Sequence, residues 1–321
     1  MTGSDLTESV LRLYMSYPFP RWTREERHRR FGAELVRYRY LGLEGALPGA
    51  RLLDVGCGTG NRSMLAAKHF GVAEFVGLDL SSPSLAIARS VAKEEGFERF
   101  APLRGSALAL PLADDSFDVV VSWGVLHHTP DPFGGLSEMV RVCRPGGFVG
   151  VFLYNKWNHW RHNIQKNKVS RLAGEDLGKR FEVAHRLYGR TPIEEMTDEE
   201  IAVFLDKYCH PHKSDHTLGE TLEWFDRLGL EYWASYPPLG FRDLVGAMQY
   251  RHRLRDRHPL KSRLAWLLDV AGRIPGVDEP RPPLKRPSVL HRFVWQAVYA
   301  WLGRHGDYSG GAALAARKLP R

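Results

Sequence analysis

The chain has 321 residues, of which 43% are hydrophobic and 26% are charged. This composition excludes the weakly hydrophobic, highly charged class of disordered chains and predicts one large domain or two ordinary ones. The sequence has no apolar run of about 18 residues and no basic N-terminal segment leading into an apolar stretch, so we expect neither a membrane span nor an export signal. Three cysteines, Cys57, Cys143 and Cys209, are too few for a disulfide framework, and we expect a cytoplasmic protein.

The net charge of +8 is concentrated at the C-terminal end of the chain. Residues 241–321 contain 16 Lys and Arg against 6 Asp and Glu, whereas residues 1–240 carry a net charge of −2. A basic last quarter favours an anionic partner for that segment, such as a phospholipid surface, a nucleic acid or a phosphorylated molecule.

The N-terminal segment, residues 1–48, is predicted to combine a short helix with an aromatic lid. Residues 5–15 place apolar side chains on one side of a helix. The next stretch, Tyr-Pro-Phe-Pro-Arg-Trp at 17–22, cannot continue that helix because two prolines fix the backbone and remove hydrogen-bond donors.

Apolar strands alternate with helices over residues 49–154. Several strands are largely apolar, which is typical of a parallel sheet covered by helices on both faces. The alternation predicts an α/β fold with a doubly wound, mostly parallel sheet and right-handed crossovers. The predicted strands are Arg51–Val55, Glu74–Asp79, Ala101–Arg104, Phe117–Trp123 and Gly147–Tyr154, and the helices between them begin near Gly60, Ser82 and Pro132.

The pattern changes after Tyr154. Residues 155–216 are polar and are predicted to form a mostly helical insert, or cap. Residues 217–240 are predicted to return to the core with one helix and one strand, which ends before two prolines. The predicted elements are helices near 175–188, 194–207 and 218–228 and a strand at Leu230–Tyr236.

Residues 241–321 are predicted to form a basic helical C-terminal extension. Its helices are predicted near 241–256, 260–272 and 288–304, and the last of them is amphipathic. This helix could lie on an anionic membrane and give access to a lipid acceptor. It could instead pack its apolar face on the sheet or on the second subunit of a homodimer, which we favour because the helix is no more hydrophobic than ordinary packing helices.

A glycine-dense turn follows the first predicted strand, in Leu-Leu-Asp-Val-Gly-Cys-Gly-Thr-Gly at 52–60. Glycines let the backbone approach a ligand closely and adopt conformations closed to other residues. The dinucleotide fingerprint would need a glycine where Asn61 stands. Asp54 at the strand end would repel a pyrophosphate, so the turn is better suited to a cationic ligand.

This stretch resembles the first motif of the class I S-adenosylmethionine-dependent methyltransferases, and the resemblance continues in the family's order over residues 51–154. Residues 75–81 are similar to the second strand, whose terminal acid, here Asp79, holds both ribose hydroxyls in the family. Ser106 stands where the family usually carries an aspartate beside the adenine. The resemblance implies a Rossmann-like fold, S-adenosyl-L-methionine as cofactor, and as cofactor-binding residues Asp54, Gly56, Cys57, Gly58, Gly60, Asp79, Leu80, Ser106, Ala107, Trp123 and His128.

Methyl transfer from a sulfonium is an in-line displacement, which needs alignment but no covalent nucleophile. His127 and His128 follow the fourth predicted strand, at the edge where open α/β sheets bind their ligands. Either imidazole could take a proton from an acceptor that is protonated at neutral pH. Either could instead order the turn or line the cofactor pocket.

Five aromatic or polar residues are predicted near the methyl acceptor. Tyr154 and Asn155, at the end of the fifth strand, either contact the acceptor or cap the strand. Tyr14, Tyr17 and Trp22 either fold over the cofactor as a lid or pack against the outside of the sheet, and an aromatic face would favour the sulfonium.

A metal site is not predicted. Cys209, His210 and His212, with His216 nearby, resemble a metal cluster at first sight. The two histidines that flank Pro211 cannot share one face of a helix, and the sequence shows no further ligand for a site on a loop.

The acceptor is predicted to be a small or lipid-like molecule, methylated at an O, N or C atom. Members of the family that methylate nucleic-acid amines carry an Asn/Asp/Ser-Pro-Pro-aromatic motif after the fourth strand, where this chain has Ser-Trp-Gly-Val from Ser122. The turn that ends in His127 and His128 resembles the small-molecule branch instead. Two alternatives stay open: a non-catalytic subunit that binds S-adenosylmethionine, and an RNA-directed methyltransferase that uses the basic tail.

Overall fold

The structure is a computed structural model that describes residues 3–236, 239, 283–304 and 311–320. The helices predicted near 241–256 and 260–272 lie outside the described residues. Within the described ranges, none of the helices combines the length and apolar content that crossing a bilayer requires.

The described strands form one seven-stranded sheet in the order β3-β2-β1-β4-β5-β7-β6. Every pairing among the first five strands is parallel, and β7 runs antiparallel to both of its neighbours. The predicted α/β, doubly wound and mostly parallel fold is confirmed. The strands are β1 (Arg51–Val55), β2 (Glu74–Asp79), β3 (Phe100–Arg104), β4 (Phe117–Trp123), β5 (Cys143–Tyr154), β6 (Leu230–Tyr236) and β7 (Gly311–Lys318).

Helices cover both faces of the sheet and build the insert. A five-residue π-helical turn, Leu205–Cys209, follows the last helix of the insert. The α-helices of the described residues are α1 (Gly3–Ser16), α2 (Arg24–Tyr40), α3 (Met64–His69), α4 (Ser82–Glu94), α5 (Pro132–Val142), α6 (Trp160–Ala173), α7 (Leu177–Tyr188), α8 (Asp198–Phe204), α9 (Leu218–Arg227) and α10 (Val289–Arg304).

The central strands are buried on both faces. Leu52, Val119 and Val121 pack into one apolar cluster, whereas Leu53 and Val120 pack into the cluster on the opposite face. Successive side chains of a strand point to opposite faces, so two covering layers of helices require apolar residues at every position. This requirement explains the largely apolar composition from which the sheet was predicted.

The last strand, β7, corrects the sequence analysis, which assigned residues 311–318 to a helical extension. Its sequence, Gly-Ala-Ala-Leu-Ala-Ala-Arg-Lys, is rich in residues that favour helices. The slot between β5 and β6 offers ladder hydrogen bonds and burial, which override that local preference. At the end of β7 the Lys318 ammonium donates to the Asp115 carboxylate (2.6 Å) and to the carbonyl oxygens of Val140 (2.8 Å) and Cys143 (2.6 Å).

Several other elements differ from the predictions. The helices α2 and α6 were not predicted, although α2 begins with a capping box in which Thr23 and Glu26 each accept from the other's backbone N–H. The helix expected near Gly60 begins at Met64, after the glycine turn. The amphipathic helix expected near 288–304 is present as α10.

The insert meets the core at its two ends. Asn155 and His216 form an isolated parallel β bridge, and the amide of His216 donates to the carbonyl oxygen of Tyr154 at 2.8 Å. The insert, residues 155–216, therefore leaves and rejoins the sheet at a single point, the carboxyl end of β5. This end of the sheet carries the candidate site.

Candidate active site

A cavity of about 540 Å³ lies at the carboxyl ends of the parallel strands. It is lined by Gly56 after β1, Asp79 at the end of β2, Val125 after β4 and Tyr154 at the end of β5. Open α/β sheets bind ligands at this edge, and the volume falls in the usual range for small-molecule sites.

Two glycines of the turn after β1 are required by close approaches. At Gly56 (φ +80°) a Cβ atom would lie 2.4 Å from Cγ2 of Val125, and at Gly58 (φ +54°) it would lie 2.4 Å from the carbonyl oxygen of Phe19. Both backbone conformations are strained for residues with a side chain. The two glycines therefore let the turn pack against Val125 and Phe19, and both residues line the cavity.

Asp79 connects this turn to the end of β2. Its Oδ2 accepts from the amide of Gly58 at 2.9 Å, and its Oδ1 accepts from the amide of Ser81 at 2.8 Å. Burial raises the pKa of Asp79, and the backbone donors oppose that rise. Each carboxylate oxygen keeps a second lone pair, so this residue can accept two ribose hydroxyls where it lines the cavity.

Most of the predicted cofactor residues line the cavity, and two do not. Asp54 lies behind the wall, where its Oδ2 accepts from the hydroxyl of Ser63 and its Oδ1 has no partner in the described part of the chain. Gly60 faces α4 instead, because a Cβ there would lie 3.2 Å from Cβ of Ala88. The residues that line the cavity as predicted are Gly56, Cys57, Gly58, Asp79, Leu80, Ser106, Ala107, Trp123 and His128.

The two adjacent histidines have different positions. His128 lines the cavity, whereas His127 is fully buried behind it, which corrects its predicted position at the acceptor. Nδ1 of His127 accepts from the amide of Tyr154 at 3.3 Å, and the two rings stack with centroids 3.7 Å apart. His127 therefore supports Tyr154 from behind the cavity wall. In that position it cannot reach an acceptor in the cavity. Burial lowers the pKa of His127 well below its usual value and that of His128 to about 4.

The predicted acceptor residues divide in the same way. Tyr14, Trp22 and Tyr154 line the cavity. Tyr17 packs against the apolar cluster of the insert, and Asn155 is buried with its Oδ1 accepting from the amide of Trp157 at 2.9 Å. Tyr17 therefore packs and Asn155 caps the end of β5, whereas a lid over the cofactor stays a prediction for Tyr14 and Trp22.

Sequence analysis missed several polar residues of the cavity wall, because they belong to no motif. Arg62 follows the glycine turn closely and makes no ion pair within the described ranges, whereas Arg37 pairs with Glu34 at 2.6 Å. Asp206 comes from the π-helical turn of the insert, and its Oδ1 accepts from the hydroxyl of Tyr14 at 2.9 Å. The folding of the insert alone brings Asp206 here.

Three potential ligand atoms, from His128, Asp206 and His210, lie within 4.8 Å of one another. Of the residues that resembled a metal cluster in the sequence, only His210 belongs to this group. The group combines one residue of the core, His128, with two residues of the insert. The Cys209 thiol is buried and is not part of it.

Residues 52–147 match a family described as methyltransferase domain. The match confirms for this segment the predicted resemblance to the class I S-adenosylmethionine-dependent methyltransferases, and the cofactor of that class is S-adenosylmethionine. The glycine turn and Asp79, which are described above, fit that cofactor.

Two relatives show how far the similarity extends. A demethylmenaquinone methyltransferase of Bacillus velezensis is 43% identical over 102 residues, which are 32% of this chain and 44% of that protein. An uncharacterised protein of Synechococcus sp. is 26% identical over 261 residues, which are 74% of this chain and 60% of that protein. The chain thus spans less than two thirds of either relative. Among solved structures, the geranyl diphosphate C-methyltransferase of Streptomyces coelicolor has a TM-score of 0.48 at 15% identity, covering 91% of this chain and 80% of that chain.

Proposed function

We propose that the chain transfers a methyl group from S-adenosylmethionine to a small-molecule or lipid-like acceptor, by in-line displacement at an O, N or C atom. The observation that carries this proposal is the continuity of the cavity, which joins Gly58 and Asp79 to an aromatic wall beyond Tyr154. A cofactor and an acceptor can therefore meet inside one enclosure, and alignment in a closed site is the main requirement of a displacement.

The residues of the chain have separate tasks in this proposal. Gly56 and Gly58 admit the nucleoside, and Asp79 accepts its ribose hydroxyls. Tyr14 and Trp22 cover the site from the N-terminal side and exclude water. When bound, the cofactor supplies an electrophilic methyl group, so the protein has to position the acceptor and, where necessary, remove its proton.

The residues of the cavity wall beyond Tyr154 favour an acceptor that is largely apolar and carries one polar group. Phe152 and Tyr236 line this wall, together with Trp295 and Tyr299 of α10. The indole nitrogen of Trp295 and the hydroxyl of Tyr299 are buried and lack partners within the described ranges. Buried donors are nearly always satisfied, so an oxygen of the acceptor is a suitable partner for one of them. The name of the Bacillus relative, a demethylmenaquinone methyltransferase, also supports a small-molecule acceptor.

A membrane surface is the second partner that we propose. One side of α10 packs into the core through Trp295 and Tyr299, while Val289, Leu290 and Phe293 are 72%, 61% and 68% exposed. These side chains lie in the basic last quarter of the sequence, which favours an anionic lipid surface. We expect the protein to sediment with phosphatidylglycerol vesicles and not with phosphatidylcholine vesicles. Loss of this difference in Phe293→Ser would support the proposal, and equal sedimentation with both lipids would contradict it.

Calorimetry and labelling together test the enzymatic proposal. The full chain is titrated with S-adenosyl-L-homocysteine and is then incubated with methyl-labelled S-adenosylmethionine and small-molecule or lipid extracts. We expect binding at one site and a labelled product in mass spectrometry. Tight binding without any labelled product would favour the non-catalytic subunit. Label in RNA, with binding that falls steeply with salt, would favour the RNA-directed alternative.

A further inference from the structure

The insert is fastened to the turn that follows β4. The amide of Ser214 donates to the carbonyl oxygen of His127 at 2.7 Å. Nδ1 of His128 lies 3.0 Å from the carbonyl oxygen of His212, and the imidazole of His212 bonds back to the carbonyl oxygen of Thr129. Three hydrogen bonds, each accepted by a main-chain carbonyl oxygen, therefore hold the insert against the turn that carries His128.

Four side chains meet where the insert touches this turn. The rings of His128 and His210 stack with centroids 3.8 Å apart, and the Asp206 carboxylate lies within 4.8 Å of both histidines. The hydroxyl of Tyr14 donates to Asp206. Tyr14, His128 and Asp206 line the cavity, while His210 is completely buried behind them.

The hydrogen bonds define the tautomers of the two histidines. A carbonyl oxygen can only accept, so Nδ1 of His128 carries the hydrogen and its Nε2 keeps a lone pair. The amide of His212 donates to Nδ1 of His210 at 3.2 Å, so His210 carries its hydrogen on Nε2. The cluster therefore combines one basic nitrogen with one carboxylate, and both belong to residues of the cavity wall.

A metal ion fits this arrangement poorly. An ion lies near the plane of each imidazole that binds it, and two rings stacked with only 27° between their planes do not meet at such a point. Nε2 of His210 also has no lone pair in the tautomer that His212 imposes. In addition, the buried Lys166 lies close by and lowers the pKa of both histidines; burial lowers its own pKa to about 7, so in its charged form, below about pH 7, it opposes a cation at this place.

We propose that His128 and Asp206 form the proton-accepting pair of this cavity, and that the acceptor carries a proton on its nucleophilic atom, as a hydroxyl, thiol or ammonium group does. The inference rests on the proposed methyl transfer and names its class of acceptor. The bond between the nucleophilic atom and its hydrogen breaks, and that electron pair forms the bond to the methyl carbon. The electron pair of the broken carbon–sulfur bond stays on sulfur, and the proton goes to Nε2 of His128. Asp206 is a positioning residue that stabilises the resulting imidazolium.

The surroundings of His128 act on its pKa in opposite directions. Burial is the largest influence and lowers the pKa of His128 to about 4, with further lowering by Lys166 and Lys213. Asp206 and the carbonyl oxygen of His212 raise it. The imidazole is therefore neutral at pH 7 with the lone pair of Nε2 available, and Asp206 offsets part of the loss of basicity that burial causes because it favours the charged form.

An NMR experiment tests the pair without any acceptor. The full chain is labelled with ¹⁵N-histidine and saturated with S-adenosyl-L-homocysteine, and the signals are assigned with His128→Gln and His210→Gln. We expect His128 to be protonated on Nδ1 and His210 on Nε2 at pH 7. A hydrogen on Nε2 of His128 would overturn the proposal. Stoichiometric binding of added Zn²⁺ that is lost in His210→Gln would also overturn it, since the cluster would then be a metal site.

Methyl transfer provides the second readout, with the labelled product of the extracts as signal. We expect Asp206→Asn to lower kcat about 10- to 100-fold, which is less than the roughly 10²- to 10⁴-fold effect of a complete general base because His128 itself remains, with affinity for S-adenosyl-L-homocysteine changed less than about twofold. Asp206→Glu should recover part of the loss. Glu194→Gln, an exposed position of the same insert, is the matched control and should behave as wild type. Wild-type kcat in Asp206→Asn would overturn the pair. Failure of the wild type to bind S-adenosyl-L-homocysteine would instead refute the proposed function, and the same NMR spectra of the chain without ligand would then decide the two tautomers.

Discussion

The carbonyl oxygen of Phe19 lies 2.4 Å from the point that a Cβ atom at residue 58 would occupy, so Gly58 and Phe19 are in direct backbone contact. The next residue, Thr59, donates its amide to the same oxygen and its hydroxyl to the carbonyl oxygen of Pro20. The cofactor turn and the aromatic lid segment are therefore one packed unit, although 39 residues separate Pro20 from Thr59.

Substitution of Gly58 by alanine should displace this lid. The new methyl group would overlap the carbonyl group of Phe19. Residue 58 would also have to keep a left-handed backbone conformation, which is strained for alanine. We expect affinity for S-adenosyl-L-homocysteine to fall about 30-fold, or about 2 kcal/mol, measured by calorimetry. Gly49→Ala is the control, because φ there is +71° and nothing lies within 4 Å of its Cβ position. It should lose about 1 kcal/mol of stability and bind the ligand normally. Equal affinities of Gly58→Ala and wild type would show that the contact does not matter.

Asp79→Asn should weaken cofactor binding without unfolding the protein. The charged acceptor of the ribose hydroxyls is lost, and Asp79 also orders the amides of Gly58 and Ser81. We expect a decrease in affinity of about 2 kcal/mol in calorimetry, since hydrogen bonds to a charged group contribute about 1.5–3 kcal/mol. Glu74→Gln, at the other end of β2 in an exposed ion pair, should bind as wild type. An unchanged affinity in Asp79→Asn would refute the sugar-binding role.

The buried carboxyl group of Asp54 predicts a pH-dependent stability. Burial raises its pKa from 3.8 to about 7. The folded state therefore binds the proton of the Asp54 carboxyl group more tightly than the unfolded state does. The contribution of Asp54 to the free energy of unfolding is most favourable below about pH 4 and declines as the pH rises through about 7. Asp54→Asn should consequently gain about 1–3 kcal/mol over wild type at pH 8 and much less at pH 5, measured by urea unfolding. Asp114→Asn, at an exposed carboxylate, should keep the wild-type difference between the two pH values. Parallel pH profiles for wild type and Asp54→Asn would contradict the prediction.

Lys318→Met tests the position of β7 in the sheet. The buried ammonium group satisfies two carbonyl oxygens and one carboxylate at the edge of β5, and methionine leaves all three without that donor. We expect a loss of about 2–4 kcal/mol in the free energy of unfolding. The adjacent and exposed Arg317→Met should change stability by less than about 0.5 kcal/mol. Equal effects of the two substitutions would mean that Lys318 is not anchored as described.

Much of the core could be predicted because the environment of each strand and turn is visible in its own residues. β1 and β4 are apolar at successive positions since both faces are covered, and Gly56 and Gly58 occupy backbone conformations that disfavour side chains. Such constraints are visible in the order of the residues alone. The same holds for Asp79, whose place at the end of β2 follows from the length of that strand.

Other parts depended on contacts between distant segments. β7 has a helical composition and becomes a strand because β5 and β6 leave a slot for it. His127 and His128 are adjacent in sequence, but a short 3-10 turn sends one behind the wall and the other into the cavity. Asp206 carries no motif, and it reaches His128 only because the insert folds back onto the core.

The order of residues alone determined the class of fold, the methyl donor and most of the residues that line its candidate site, because those residues lie on one continuous run of strands and turns with fixed spacing. Only the tertiary structure decided which side chains face an acceptor. That choice is made by the lid, the insert and the last strand, which contribute to the cavity from distant parts of the sequence. Burial in that cavity raises the pKa of Asp79 and lowers that of His128.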